Sequence, residues 1–247
     1  ILICLIFKQI TSAVLFMIAI SAIWLGTQNA AREIVSEMAI YKRERMFNLY
    51  IYPYIFSKIS VLSFFSVIQS FIFIMILTIN YNGSNVMVDL NSPVYLFFWM
   101  VFLSISATFL GLLLSSLVKT GERAMTILPL ILLPQIMLAG LVAKVSNGIV
   151  EFISYFTLSR WGVEGFNIIQ ENIVENFPDF TGGVVELKKD GLTVLLKQFH
   201  ELYRDKDIFG ELTGTLKLDV IIILLMVIFM TFFIFNTLKK KDSIIIR

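Results

Sequence analysis

Long apolar runs, separated by shorter polar segments, make up most of the chain. A helix that crosses the hydrocarbon core of a membrane needs about 20 mostly apolar residues. Five stretches meet that requirement, at 10–28, 54–79, 93–118, 124–143 and 218–238. The apolar residues 1–7 predict the tail of a sixth, earlier span. The pattern predicts an all-α integral membrane fold with five complete transmembrane helices and the end of another.

Composition supports lipid as the solvent for these runs. Hydrophobic residues make up 57% of the 247 and charged residues 15%, and the mean hydropathy is +0.85. A soluble domain is about half apolar and about one quarter charged. So many apolar runs cannot all be buried in one water-soluble core, whereas helices satisfy their own backbone hydrogen bonds in lipid.

The distribution of positive charge predicts the orientation of the spans. The loop at 80–91 has no lysine or arginine, whereas the other short connectors and the C-terminal tail are basic. Cytoplasmic loops are enriched in these residues, which predicts a cytoplasmic C-terminus and an extracytoplasmic segment at 144–217. The basic residues concerned are Arg32, Lys42, Arg43, Arg45, Lys58, Lys119, Arg123, Lys239, Lys240, Lys241 and Arg247.

Two segments outside the spans have helical periodicity. Between 30 and 53, the spacing of Ile34, Met38, Tyr41 and Arg45 predicts an amphipathic helix along the cytoplasmic membrane face. In the extracytoplasmic segment, periodic apolar residues predict helices at 148–156, at 160–174 and around 192–202. The sequence PDFTGG interrupts them. This segment is predicted to form a small helical cap.

The residues that catalysis requires are sparse. The sequence has no G-x-x-x-x-G-K-[ST] phosphate loop. Its one histidine, His200, and its one cysteine, Cys4, are far apart and make a poor metal-ligand or nucleophile set. We therefore expect a chain that is not an enzyme by itself, that holds no metal or cofactor, and that receives any energy it uses from another domain.

The most informative polar cluster is REIVSEMAIYKRER. Glu37 and Glu44 are seven residues apart, two helical turns, which predicts that they share a face, and Arg43 and Arg45 flank the second glutamate. One interpretation is an interfacial helix that binds anionic lipid through its basic residues. The other is a lever that docks on a soluble motor domain through ion pairs.

Two segments resemble a known transporter family. The run NAAREIVSEMAIYKRERMFNLYIYPYIFSK, which leads into a span, resembles the first intracellular loop of bacterial ABC export permeases of the G-subfamily type. The run LPQIMLAGLVAKVSNGIVEFISYFTLSRWGVEGFNIIQENI resembles the fifth span and the external re-entrant helices of that family. The resemblance covers essentially the whole chain in order and spacing.

The resemblance implies roles for particular residues. In the coupling region at 30–50, the side chains placed against the ATP-binding domain are Glu37, Arg43, Glu44 and Arg45. The apolar residues of the cavity and gate are Leu133 and Ile136, which face the central cavity, and Leu141 and Val142, which form the plug between the inner and outer cavities.

The resemblance also implies partners and a location. We expect a dimer of six-span halves in the bacterial cytoplasmic membrane, in contact with lipid and with no role for nucleic acid. The ATP–Mg would bind a partner ABC domain, fused upstream or separate. The apolar cavity residues favour an amphipathic or hydrophobic cargo. Pro129 and Pro134 are predicted to kink the fourth span, as a gate requires.

Two other classes of protein are compatible with a multi-span chain. An ion-coupled secondary transporter or channel normally has ionisable residues within its spans, and the middles of the second to fourth predicted spans have none. A non-transporting membrane scaffold needs neither the two prolines of the fourth span nor the two glutamates of the connector.

Overall fold

The computed structural model describes residues 12–47, 49–82, 92–139, 152–176 and 215–245. Within these residues the chain is helical, without strands. The helices are α1 (Ser12–Ala30), α2 (Glu33–Ser36), α3 (Met38–Arg45), α4 (Ile51–Asn82), α5 (Ser92–Leu117), α6 (Gly121–Leu138), α7 (Leu158–Asn176) and α8 (Leu216–Ile245).

Five segments are long and apolar enough to cross a membrane. They are Val14–Ser36, Ile51–Ile79, Pro93–Leu117, Gly121–Leu138 and Leu216–Lys241. The predicted all-α membrane fold with five candidate spans is therefore confirmed, and the first segment ends eight residues later than the predicted span, at Ser36 instead of residue 28. The predicted tail of an earlier span at 1–7 and the end of the fourth span at 140–143 lie outside the described residues.

Helix α5 is the centre of the bundle, because it packs against α1, α2, α4, α6, α7 and α8. Its closest neighbour is α1, where two glycines bring the backbones together. A Cβ atom built on Gly26 would lie 2.2 Å from the carbonyl oxygen of Ser104, and one on Gly111 would lie 2.5 Å from that of Thr27. Small residues allow this close helix contact inside a membrane, where van der Waals packing drives association.

Helix α6 begins at a side-chain cap and contains two prolines. Thr120 has an extended backbone, and its hydroxyl oxygen accepts a hydrogen bond from the Arg123 N–H at 3.4 Å, which caps the helix. The helix is continuous through Pro129 and Pro134. A proline has no N–H to donate to the carbonyl four residues earlier, so each one removes a hydrogen bond from the helix interior.

The connector between the first two spans differs from its prediction. The single amphipathic helix expected over 30–53 is two short helices, α2 and α3, separated at Glu37, whose φ of −96° and ψ of 5° are not helical. Its apolar face is confirmed, since Ile34 and Tyr41 are both buried and Met38 is half-buried.

Helix α7 confirms the helix predicted at 160–174. Residues 158–169 are all buried, because α7 packs against α1, α5, α6 and α8. It therefore forms part of the core. The predicted helix around 192–202 and residues 148–151 of the predicted 148–156 helix lie outside the described residues.

Candidate functional site

Lys58 links the charged connector to the second span. Its ammonium nitrogen lies 3.2 Å from Oε2 of Glu33 and 2.5 Å from Oε1 of Glu37. The two glutamates are four residues apart, which brings both carboxylates to the same side of the connector. The Lys58 side chain is only 17% exposed, so water screens these ion pairs less than it screens pairs on an open surface. The result is a fixed joint between α2 and α4.

A second joint links the connector to the central helix. The Ser115 hydroxyl oxygen on α5 accepts hydrogen bonds from the backbone N–H groups of Ile34 and Val35, each at 3.0 Å. These groups lie in the first turn of α2, where no carbonyl within the helix can accept them. Helix α2 is therefore held by α5 through its backbone and by α4 through its acidic side chains.

The structure separates the four coupling residues that the resemblance implies. Glu37 is bound to Lys58. The Arg45 guanidinium donates a hydrogen bond to the carbonyl oxygen of Leu49, which closes the turn into α4. Arg43 and Glu44 are exposed on α3. The first two therefore hold the connector in shape, and the last two are available to a partner.

Several basic segments that are distant in the sequence meet at this end of the bundle, which we call the connector end (residues 31–50 and 118–123 and the last turns of α8). The Lys241 ammonium near the end of α8 lies 3.5 Å from the carbonyl oxygen of Val118. A Cβ on Gly121, the first residue of α6, would lie 3.8 Å from Cδ of Arg32. The connectors that the charge pattern assigns to one side of the membrane do lie at one end.

The cavity residues predicted in the fourth span lie on different parts of α6. Leu133 is 53% exposed, on the same face as Leu130 and Met137, which are also exposed. Ile136 is half-buried and packs against the core. Leu141 and Val142, the predicted plug, lie outside the described residues. Helix α6 thus presents an open apolar face that includes Leu133.

Gln135 joins α6 to the start of α7. Its side-chain oxygen accepts a hydrogen bond from the Ser159 N–H at 3.0 Å, and its backbone oxygen accepts one from the Ser159 hydroxyl. Gln135 is buried and caps an N–H in the first turn of α7, which has no intrahelical acceptor. Nothing in the spacing of the sequence indicates this contact, because its two residues lie on separate elements.

We expect Gln135→Leu to weaken the joint between α6 and α7. The substitution keeps the volume but leaves the buried Ser159 N–H without this acceptor, which costs about 1–3 kcal/mol. The measurement is the apparent melting temperature of the purified protein in detergent. Met137→Leu, on the exposed face of the same helix, is the control and should not change it. Equal melting temperatures for Gln135→Leu and the wild type would contradict the capping role.

Tryptophan and glycine fix α7 against α5. The indole N–H of Trp99 donates to the carbonyl oxygen of Gly162 at 2.9 Å. A Cβ on Gly162 would lie 2.6 Å from Leu103 Cδ2, and one on Gly165 would lie 2.1 Å from the Trp99 ring. The sequence WGVEG therefore places a glycine at two points where α7 meets a large side chain of α5.

A cluster of buried charges lies where α7 meets the start of α8. Arg160 and Glu164 are on α7, Asp219 is in the first turn of α8, and all three are at most 7% exposed. The Arg160 guanidinium donates to the Ser154 hydroxyl at 2.7 Å and stacks on the Tyr155 ring, 3.9 Å from its centroid. We call Arg160, Glu164 and Asp219 the buried charge cluster.

Asp219 lies close to the charges of both other members of the buried charge cluster. Its carboxylate feels the negative charge of Glu164 and the positive charge of Arg160. Neither of its oxygens accepts a hydrogen bond from the residues that the structure describes. Its position in the first turn of α8 places it near the positive end of the helix dipole. The sequence did not predict this cluster, because Arg160, Glu164 and Asp219 lie outside the middles of the predicted spans, where ionisable residues were sought.

The arrangement defines a class of protein. Several long apolar helices form a multi-pass membrane bundle, its charged connector is fixed to two spans, and the described residues contain no group of His, Cys, Asp and Glu side chains suited to a metal ion. The long apolar helices are the features of a multi-pass membrane domain.

The comparisons identify the family. The profile of the ABC-2 type transporter family matches residues 1–170, and the chain belongs to that family. The ABC transporter ATP-binding/permease protein Rv1747 of Mycobacterium tuberculosis (strain ATCC 25618 / H37Rv) is 28% identical over 152 residues, which are 60% of this chain. The chain spans only 18% of the length of that relative.

Family membership confirms several of the sequence predictions. The chain is the permease part of an ABC transporter and fits the G-subfamily permease domain. It lies in the membrane with several spans, and it is a transport part rather than a catalytic one.

Proposed function

We propose that this chain is the membrane half of an exporter that moves an amphipathic or hydrophobic cargo by alternating access. Two copies would enclose the cargo path, and ATP–Mg would be hydrolysed in the partner ABC domain, fused or separate. In this proposal the connector end and the C-terminus are cytoplasmic, residues 144–217 are extracytoplasmic, and the membrane is the bacterial cytoplasmic membrane. The basic residues gathered at the connector end support this orientation.

The observation that carries the proposal is that α2 is fixed to two spans, α4 and α5. Lys58 holds Glu33 and Glu37 from α4, and Ser115 holds the α2 backbone from α5. Arg43 and Glu44, exposed on α3, would form ion pairs with the ATP-binding domain. A push on α3 would then move α2, and through α2 both spans. Arg45 and Glu37 would keep the lever rigid.

The open face of α6 supports an apolar cargo. Leu130, Leu133 and Met137 are each more than half exposed in the single chain. In a dimer this face would line the central cavity, with Ile136 at its edge. Leu141 and Val142, just beyond the end of α6, would form the plug. Pro129 and Pro134, which remove hydrogen bonds within α6, would let the helix bend as the cavity opens.

We expect Lys58→Met to uncouple ATP hydrolysis from transport. The variant removes the cation that holds both glutamates, so α3 would move without moving α4. The complete protein with its ATP-binding domain is reconstituted in liposomes, where ATP hydrolysis and the ATP-dependent movement of a fluorescent phospholipid are measured together. Hydrolysis should stay within about twofold of the wild type while transport falls at least tenfold, a loss of about 1.4 kcal/mol of coupling.

Matched variants make this test specific. Lys58→Arg keeps the positive charge and should retain most of the transport, and Lys119→Met removes an exposed basic residue from the same end and should change neither readout. Glu44→Ala and Arg45→Ala test the lever itself and should also reduce transport per ATP. If Lys58→Met transported as well as the wild type, the contacts of Lys58 with Glu33 and Glu37 would not be needed for coupling. A wild-type complex that hydrolyses no ATP would refute an ATP-driven exporter.

An ion-coupled secondary transporter or channel is the second candidate, favoured by the buried charge cluster. Buried ionisable residues in a membrane bundle commonly mark ion or proton pathways. The same liposomes separate the two functions. Transport driven by a proton or sodium gradient without ATP, and abolished by Asp219→Asn, would favour the ion-coupled mechanism. Transport that requires ATP and ignores both gradients would favour the exporter.

A further inference from the structure

An aromatic contact joins α3 to the start of α4. The rings of Tyr41 and Tyr54 lie with 4.8 Å between their centroids and 46° between their planes. Tyr41 follows Glu37 by four residues, and Tyr54 precedes Lys58 by four. The aromatic contact is therefore about one helical turn from the ion pair of Glu37 with Lys58, along both segments. The connector and α4 run antiparallel here and meet at two successive turns.

Tyr41 is the side chain by which α3 enters the bundle. Among the eight residues of α3, which the structure describes in full, Tyr41 alone is buried, and it is 1% exposed. Its ring belongs to an apolar cluster that also contains Tyr54 and, from the second half of α8, Ile234 and Leu238. Helix α8 packs against both α3 and α4. A displacement of α3 would therefore reach α4 and α8 through this one ring.

The Tyr54 hydroxyl does not stabilise this contact. Tyr54 is 9% exposed, and its hydroxyl oxygen has no hydrogen-bond partner among the residues that the structure describes. A buried polar group without a partner costs stability, so the position contributes through its ring. Phenylalanine would keep the ring and remove the hydroxyl, which makes Tyr54→Phe the conservative variant. Leucine would keep the site apolar and remove the ring, which makes Tyr54→Leu the disruptive one.

We infer that Tyr41 and Tyr54 are positioning residues that transmit the movement of α3 directly to α4 and α8. The ion pair of Glu37 with Lys58, by itself, would let α3 pivot about one point, whereas a second contact one turn away fixes the angle between the two helices. Aromatic pairs suit this role because their interaction depends on the relative orientation of the rings. The role rests on the proposed function, in which a partner domain pushes on α3, and it adds a route that does not pass through α2.

We expect Tyr54→Leu to lower the transport per hydrolysed ATP at least about fivefold, or about 1 kcal/mol of coupling, with hydrolysis itself within about twofold of the wild type. The complete protein with its ATP-binding domain is reconstituted in liposomes, where ATP hydrolysis and the movement of a fluorescent phospholipid are measured together. Tyr54→Phe should transport as the wild type does, because the hydroxyl that it removes has no partner among the described residues.

A double-variant cycle tests whether the two rings act through each other. Tyr41→Leu should lower the transport per ATP about as much as Tyr54→Leu does, and Tyr41→Leu/Tyr54→Leu should lower it no further, because the effects of residues in contact are not additive. If the losses of the two single variants multiplied in the double variant, the rings would act separately and the inference would be wrong.

Amide hydrogen exchange tests the joint without ATP or cargo. In Tyr54→Leu the backbone amides of α3 should exchange at least about threefold faster than in the wild type, because α3 loses its buried contact with α4. In Tyr54→Phe they should exchange at the wild-type rate. The amides of α5 are the internal control and should not change in either variant. Exchange is followed by mass spectrometry of the complete protein in detergent.

Two further results would overturn the inference. Wild-type transport per ATP in Tyr54→Leu would show that the ring contact is not needed for coupling. An equal loss in Tyr54→Phe would assign the effect to the hydroxyl instead of the ring. Failure of the exporter proposal has a different signature. The wild type would then show no ATP-driven transport, whereas faster exchange of the α3 amides in Tyr54→Leu would still identify the two rings as the joint between α3 and α4.

Discussion

Replacing Arg160 with methionine is expected to remove most of the folded protein from the membrane. The substitution keeps the length of the side chain but leaves the buried carboxylates of Glu164 and Asp219 without the positive charge of Arg160. Removing a buried charge so that the opposite charge near it is left uncompensated costs about 3–5 kcal/mol, a large part of the 5–15 kcal/mol that stabilises a typical domain. The measurement is the yield of monodisperse protein and its apparent melting temperature in detergent.

A second substitution distinguishes the charge effect from a packing effect. Arg160→Met/Asp219→Asn also removes a carboxyl group that lies near Arg160, so part of the lost stability should return if Arg160 acts through its charge. Lys217→Met, which removes an exposed lysine two residues before Asp219, is the control and should behave as the wild type. No recovery in the double variant would show that Arg160 acts through its contacts with Ser154 and Tyr155 instead of its charge.

Gly26→Ala and Gly111→Ala are each expected to force α1 and α5 apart. The added methyl groups would lie 2.2 Å and 2.5 Å from carbonyl oxygens of the facing helix, well inside contact distance, and the obstacle is backbone that cannot rotate away. Overpacking costs about 1–3 kcal/mol and more where the neighbours are rigid. We expect each variant to lower the apparent melting temperature and to reduce ATP-dependent transport, because α5 supports most of the bundle.

Gly121 provides the matched control for these glycines. A Cβ at this position would lie 3.8 Å from the Arg32 side chain, an ordinary contact distance. It starts α6, where alanine has a higher helix propensity than glycine by up to about 1 kcal/mol. Gly121→Ala should therefore be neutral or stabilising. If all three alanine variants melt at the same temperature, the close α1–α5 contact does not limit stability.

Much of the fold follows from local sequence properties. Each long apolar run must be helical in lipid, because a helix satisfies its backbone hydrogen bonds within itself. For this reason the spans at 54–79 and 218–238 appear in the structure as α4 and α8. The helical periodicity that buries Ile34 and Tyr41 could also be predicted from the spacing of these residues in the sequence. The break at Glu37 could not, and the partner of Glu37, Lys58, belongs to another helix.

The candidate sites were predicted less completely. The family resemblance directs attention to Glu37 and to its neighbours Arg43, Glu44 and Arg45, but it does not indicate that Glu37 shares Lys58 with Glu33. Lys58 lies 21 residues further along the chain than Glu37, and the sequence holds several other lysines and arginines that could have been its partner. The contact of Gln135 with Ser159 spans 24 residues and two helices. Side-chain pairs of this kind depend on how the helices cross.

The sequence by itself determined that this chain spans a membrane several times and that its basic connectors share one side. Hydropathy and the distribution of lysine and arginine are sums over residues, so they need no knowledge of packing. Only the tertiary structure decided that α7 is buried among the spans and that Arg160, Glu164 and Asp219 meet. The burial of these three charges is acceptable only where the helices bring opposite charges together, and that is a property of the packed bundle rather than of any one segment.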